Sequence, residues 1–182
     1  MKKYYKILEE HKKDNFQKFY EIGFLSEKEY SGCGQATIAP FVELLEINEI
    51  MYKAASGLLA GIGYRGDACG AYVAGVMVIS YIFGREYIDL KDDVESAKEK
   101  YRRTAKIVNK FREKFIDKYN GINCKEVQVA IFGRFYNLLN PTEKIASLKA
   151  GSHIDKCTSV VGNAARIVAE LIYSELKEDF KE

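Results

Sequence analysis

Four cysteines, Cys33, Cys69, Cys124 and Cys157, are the residues of this chain best equipped for chemistry. Each follows a residue of helix-capping type by one or two positions: Ser31, Asp67, Asn123 and Asp155. A thiol in the first turn of a helix meets unpaired backbone N–H groups and the positive end of the dipole, which favour its thiolate. Thiolates attack disulfides and ligate soft metals. A purely structural cysteine is expected mid-helix on an apolar face instead. Cys69 is the most developed case. It lies in Gly61–Gly75, GIGYRGDACGAYVAG, after a glycine-rich turn and before an apolar segment. Asp67 is the expected N-cap, which places Cys69 in the first turn, with Arg65 close enough in sequence to add positive charge. Gly70, Ala71, Ala74 and Gly75 are small, so another backbone or a cofactor can come close. Gly70, Ala71 and Gly75 are therefore read as cofactor-binding positions. Cys69 is expected to have the most depressed pKa of the four.

The spacings between the cysteines are far wider than the paired C-x₂-C of zinc ribbons or the short runs of ferredoxins. A metal site here must be assembled from four separate helix ends. His153 lies four residues before Cys157 and is read either as a surface residue or as a neighbour of the site. Gly61-Ile62-Gly63-Tyr64-Arg65-Gly66 matches G-x-G-x-x-G, but a dinucleotide fingerprint needs a strand before it and a βαβ unit around it. Lys53–Ala60 reads as helix, so a turn is the better assignment. With two histidines in the chain, no Ser-His-Asp set is suggested.

The elements that must position these thiols read as helices. Residues 3–22 carry Tyr4, Ile7, Leu8, Phe16, Phe19 and Tyr20 among charges, an amphipathic helix with a polar middle. Ser31-Gly32 breaks it. Cys33 opens a helix to about Glu46, which Pro40 is expected to kink or end. Asn48 caps a third helix that runs into Gly57, Gly61 and Gly63. The segment 68–83 is apolar on all sides and is expected to be buried all round, with Gly84 as its stop. Asp89 to Asn120 shows apolar residues at intervals of three and four, with Gly121 as the expected C′ residue. Asn123-Cys124-Lys125-Glu126 has the form of a capping box. Val127, Val129 and Ile131 alternate, so a strand is the rival there. A turn at Asn140-Pro141-Thr142 leads into a short helix to about Ala150, and the last helix starts near Asp155.

The whole reads as an all-α multi-helix bundle with a buried central helix after a Gly-rich turn. It divides into a helical extension over residues 1–30 and a four-cysteine domain over 31–182, one globular domain overall. Apolar residues make up 47% and charged residues 30%, a globular profile. A net charge of +2 is too small to imply a nucleic-acid partner. Glu9, Glu10 and Lys12 interrupt the N-terminus before a signal-peptide h-region can form. The run Ala68–Gly84 is shorter than the ~20 residues of a spanning helix. A cytoplasmic chain without membrane insertion is expected, and there cysteines are catalytic or metal-binding more often than disulfide-bonded.

The pattern Cys33-Gly34-Gln35-Ala36, then Cys69-Gly70-Ala71-Tyr72-Val73-Ala74-Gly75, then single Cys124 and Cys157 resembles the C_GCAxxG_C_C family, described as redox-active and named for its four cysteines. The Cys-Gly-Ala-x-x-Gly block is complete. The resemblance covers about residues 31–176, and its one departure is Gly34, where alanine is expected. It implies a redox role for all four cysteines. Two readings follow: the thiolates bind a metal centre, an iron–sulfur cluster before zinc, or Cys69 is the nucleophile of a thiol–disulfide exchanger. A helical interaction module with incidental cysteines is the non-enzymatic alternative. A redox role implies an electron donor or acceptor as partner and leaves homo-oligomerisation open.

Overall fold

The computed structural model describes residues 1–180, so the last two residues of the expected 31–182 domain lie outside it. It is all-α. Among the described residues there is no strand, and one isolated antiparallel bridge pairs Ala68 with Asn123. The alternating stretch at 127–131 is helical.

The first amphipathic pattern is two helices, not one. α1 spans Lys2–His11 and α2 spans Gln17–Tyr30. Between them a 3₁₀ turn over Lys12–Asp14 runs into Asn15 and Phe16, both left-handed at φ 54° and 56°. The break follows from the polar middle. It lets Phe16 turn inward, where its ring is 4% exposed and packs against Phe19 and Tyr173. Ser31 and Gly32, at φ 61° and 92°, then stop α2.

α3 spans Cys33–Leu45 and continues past Pro40, so the proline does not end it. Proline removes the N–H that would bond to the Ala36 carbonyl. That carbonyl lies against Gly23 of α2, where a Cβ would approach it to 3.4 Å. α4, Glu49–Ala54, is capped by the Asn48 side chain, which accepts from the Ile50 N–H at 2.8 Å. A 3₁₀ turn over Ala55–Leu58 follows. Residues 60–64 are then all left-handed, with φ of 50°, 75°, 55°, 63° and 68°. The Gly-rich turn is thus one turn of left-handed helix.

α5, Gly70–Phe83, is the central helix. It is not buried all round. Ala71, Ala74, Val78 and Ile79 are buried, but Val73, Val76 and Met77 are half-buried and Tyr81 is 43% exposed. Gly84 ends it. α6 is Val94–Tyr119, shorter at its start than expected because Asp93 caps it through the Ser96 N–H. Asn120, not Gly121, takes the left-handed position after it. α7 is Cys124–Phe132, α8 is Pro141–Lys149 and α9 is Cys157–Asp179. α9 follows a π-helical turn over Ser152–Lys156.

α9 packs along α2, α3 and α5, and α6 closes over α5. Small residues allow the close approach of α2 to α9. A Cβ on Gly162 would meet the Tyr20 ring at 2.7 Å, and one on Gly23 would touch Ala165 and Val161 at 3.5 Å. Leu8, Phe16 and Phe19 belong to the same core as Phe41, Phe111, Phe115, Ile172 and Leu176. Fully burying each such side chain stabilises the fold by about 1.5–3 kcal/mol. No helix is long and apolar enough to cross a membrane among the described residues.

Candidate functional site

All four cysteines stand at helix starts, and three of them, Cys33, Cys69 and Cys157, are not capped by the residues the sequence suggested. Cys33 is the first residue of α3, after Gly32. Cys69 is itself the N-cap of α5, so Asp67 does not cap that helix. Asp67 and Arg65 are both exposed. Cys124 opens α7 behind the one capping box that forms as expected, in which the Glu126 carboxylate accepts from the Asn123 N–H at 2.9 Å. Cys157 opens α9, but its own N–H already bonds to the Ser152 carbonyl across the π-helical turn. It therefore has no free helix end behind it.

Three local devices bring the thiols together. The bridge between Ala68 and Asn123 lays the approach to Cys69 beside the approach to Cys124. The Cys69 N–H donates to Ile122 at 2.8 Å, and the Cys124 N–H donates to Asp67 at 2.6 Å. The left-handed turn presses onto this bridge, since a Cβ on Gly61 would lie 2.7 Å from the Cys124 Cβ. Gly70 sets Cys33 against Cys69. A Cβ there would lie 2.2 Å from the Leu58 carbonyl and 2.5 Å from the Cys33 Sγ. The Ala71 part of the expected cofactor-binding set also lines the cavity. Gly75 does not serve it. A Cβ at Gly75 would strike Phe111 at 2.5 Å, so this glycine makes room for the core.

All four cysteines line one cavity of about 320 Å³. Cys69 is buried, and Cys33, Cys124 and Cys157 are half-buried. The walls are mostly apolar, with Leu59, Val127, Phe132 and Val160 among them. His153 is at the cavity too, held by Glu27 of α2. Glu27 was not legible as a site residue, although it continues the four-residue spacing of Phe19 and Gly23, the face of α2 that turns inward. Gln128 was also missed. Its amide donates to Cys124 Sγ at 3.3 Å, and its carbonyl oxygen accepts from the Tyr136 N–H at 2.9 Å.

The expected depression of the Cys69 pKa is overturned. Burial pushes it up to about 12, and the neighbouring Cys124 adds to the rise. The backbone N–H groups of Tyr72 and Ala71 oppose this without reversing it. Burial also raises Cys33 and Cys157 well above the ordinary thiol range, with Cys69 the next cause for Cys33 and the Glu27 carboxylate for Cys157. Cys124 is raised by burial and eased by Gln128. Desolvation exceeds the helix-end effect, which is worth only about 0.3–1 kcal/mol at exposed sites.

Comparison with known proteins gives one match that spans the cysteines. The family model described as "Putative redox-active protein (C_GCAxxG_C_C)" matches residues 31–171. The chain belongs to the C_GCAxxG_C_C family. Neither a curated protein nor a solved structure matches it. The match to C_GCAxxG_C_C takes in all four cysteines and His153, and it begins four residues after Glu27.

Proposed function

We propose that the cavity is a redox centre in which Cys33, Cys69, Cys124 and Cys157 hold an iron–sulfur cluster for electron transfer or redox sensing. One observation carries the reading: four thiols from four separate helix starts line a single cavity with mostly apolar walls.

The donor set favours a cluster over a lone ion. Among the described residues no three His, Cys, Asp or Glu side chains are grouped so as to hold a metal ion. A single zinc ion needs its thiolates about 2.3 Å from one point. A cluster spreads its cysteine ligands over several irons, so they need not converge on one point. Charge supports a bound metal centre of either kind. Burial keeps these thiols protonated, and a cationic group is what stabilises thiolates in such a place. On binding it, the thiols release their protons. Two buried polar atoms at the cavity, Glu27 Oε2 and Ser152 Oγ, have no hydrogen-bond partner.

When bound, such a group supplies electron transfer at a potential set by hydrogen bonds to its sulfurs and by exposure. The chain's own contributions are visible. Gln128 donates to the Cys124 sulfur, the Ala71 and Tyr72 amides face Cys69, and the walls are mostly apolar. The same features disfavour thiol–disulfide exchange from Cys69. An attacking thiol works best with a pKa near ambient pH and an open approach, and Cys69 has neither.

The test is anaerobic reconstitution with ferrous iron and sulfide, read by visible absorption and by iron and acid-labile sulfide analysis. The expected result is a broad visible charge-transfer band with iron and sulfide retained after desalting, lost when any one cysteine is changed to serine. A protein that stays colourless with four titratable thiols would contradict the reading. Disulfide formation instead would favour exchange, and inert thiols an interaction module.

A further inference from the structure

The four thiols are buried or half-buried, so anything that binds them or reacts with them must pass a wall of their cavity. The walls differ in how firmly they are held. α2, α3, α5 and α9 share the common core. Residues 137–150 build another wall and contribute nothing to that core. Leu138, Lys144, Ser147 and Leu148 line the cavity from this stretch, while Leu139, Ile145 and Leu148 are 50%, 54% and 43% exposed. The wall here is one layer thick. Within it only Ser147 is buried, and its hydroxyl donates to the Lys144 carbonyl of the same helix. α8, the larger part of the stretch, packs chiefly on the π-helical turn that follows it in the chain.

Both flanks of the stretch are anchored. Before it, Tyr136 is buried, its N–H donates to the Gln128 side chain at 2.9 Å, and Phe135 lies against Gly66. After it, the Glu27 carboxylate holds His153. Gly151 stands between α8 and His153 at φ 95°, a conformation that glycine adopts freely. At the other end the Asn140 N–H donates to the Asn137 carbonyl and closes a turn. Two surface contacts tie the stretch to the body. The Glu143 carboxylate pairs with Arg134. The Lys144 ammonium lies 5.1 Å from the centroid of the Tyr64 ring, on the left-handed turn that also borders the cavity. Exposed contacts of both kinds are weak.

An element held by few buried contacts opens locally at least cost. We infer that residues 137–150 are a lid over the cysteine cavity, turning about Gly151 and the Asn137–Asn140 turn and latched by Lys144 on the Tyr64 ring. Opening carries Leu138 and Leu148 away from the cavity and admits a metal ion or a thiol reagent while the core stays folded. Hinges of this kind are a few loop residues that absorb the backbone change. The lid governs access alone, whatever group the thiols bind.

The experiment uses the metal-free full-length chain, so it neither needs the iron–sulfur centre nor tests it. Hydrogen exchange read by mass spectrometry follows the amides of α8, and iodoacetamide labelling at mildly alkaline pH follows the cysteines. In wild type the α8 amides are expected to exchange faster than those of α5 and α9. Labelling is expected to proceed without denaturant and to change little at low urea, since opening a lid exposes little surface. Lys144→Met keeps the stem and removes the latch. It is expected to speed both α8 exchange and labelling by the same factor, about two- to fivefold, the size of an exposed cation–π contact. Loss of the Lys144 charge would by itself slow labelling by disfavouring the thiolates, so faster labelling reports opening. Lys144→Arg, which also stacks on the ring, is expected to stay near wild type. Three results overturn the inference: α8 amides as slow as those of α9, labelling that rises only with global unfolding, or Lys144→Met that speeds neither rate. Circular dichroism checks folding. If Lys144→Met does not fold, Arg134→Gln, which releases Glu143, is read by the same two measurements.

Discussion

At the scale of the residue, the cysteines face two opposed forces. A helix start favours the thiolate, and burial disfavours it. The sequence shows the first force plainly, because capping residues and cysteines are adjacent in the chain. It does not show the second, because burial depends on walls built from distant segments. Cys69 decides the matter: at 6% exposure its thiol is held protonated, with a pKa of about 12. Iodoacetamide labelling of the metal-free protein, read site by site by mass spectrometry, is therefore expected to be slower at Cys69 than at a free model thiol at pH 7. Its rate should keep rising through pH 9, where an ordinary thiol of pKa near 8.5 levels off. Fast labelling at neutral pH would show that Cys69 is open and ionised. Gly70 is a second residue with a defined task. Gly70→Ala places a methyl group against the Leu58 carbonyl and Cys33 Sγ. It is expected to destabilise the fold by roughly 1–3 kcal/mol and to impair iron uptake, measured by thermal melting and by iron analysis.

At the scale of the element, helices were readable and their irregularities were not. Apolar spacing located α6, and Asn48, Asn123 and Asn140 each cap the helix that follows them. The left-handed residues Asn15 and Phe16 gave no such signal, because their conformation is imposed by where the Phe16 ring must go. The turn at 60–64 was recognisable as a turn from its glycines. Its left-handed sense also includes Ala60, Ile62 and Tyr64, which glycine counting cannot anticipate. A β-branched residue at positive φ is strained by about 1–2 kcal/mol. Ile62 is 41% exposed and does little packing in return. Ile62→Gly should therefore stabilise the protein by roughly 0.5–1 kcal/mol, after allowing for the extra freedom glycine gives the unfolded chain. Denaturant unfolding checks this, and a loss of stability would show that Ile62 holds the turn by its side chain.

At the scale of the whole molecule, the fold brings four helix starts to the wall of one cavity. The all-α class and the four cysteines were legible in sequence. Their convergence was not, since it depends on the bridge between Ala68 and Asn123 and on the packing of α9 across α2, α3 and α5. Residues 2–30 contribute Leu8, Phe16 and Phe19 to the common core. These three side chains together stabilise by roughly 5–9 kcal/mol, comparable to the stability of an entire domain. A chain beginning at Ser31 is accordingly expected to lack a cooperative thermal transition, which calorimetry would reveal. The raised thiol pKa values also make metal-free stability depend on pH. Their folded values exceed the unfolded value near 8.5, so this contribution is fully present below that pH and is lost as pH rises toward the folded values, by about 1.4 kcal/mol per pH unit for each thiol. The central claim, that four thiols ligate one iron–sulfur centre, is tested most directly by native mass spectrometry of protein loaded and kept without oxygen. The account predicts an added mass of whole iron and sulfide atoms, less the protons given up by the four thiols, absent from the variant with all four cysteines changed to serine. The mass of the bare chain alone, or the same adduct on the serine variant, would contradict it.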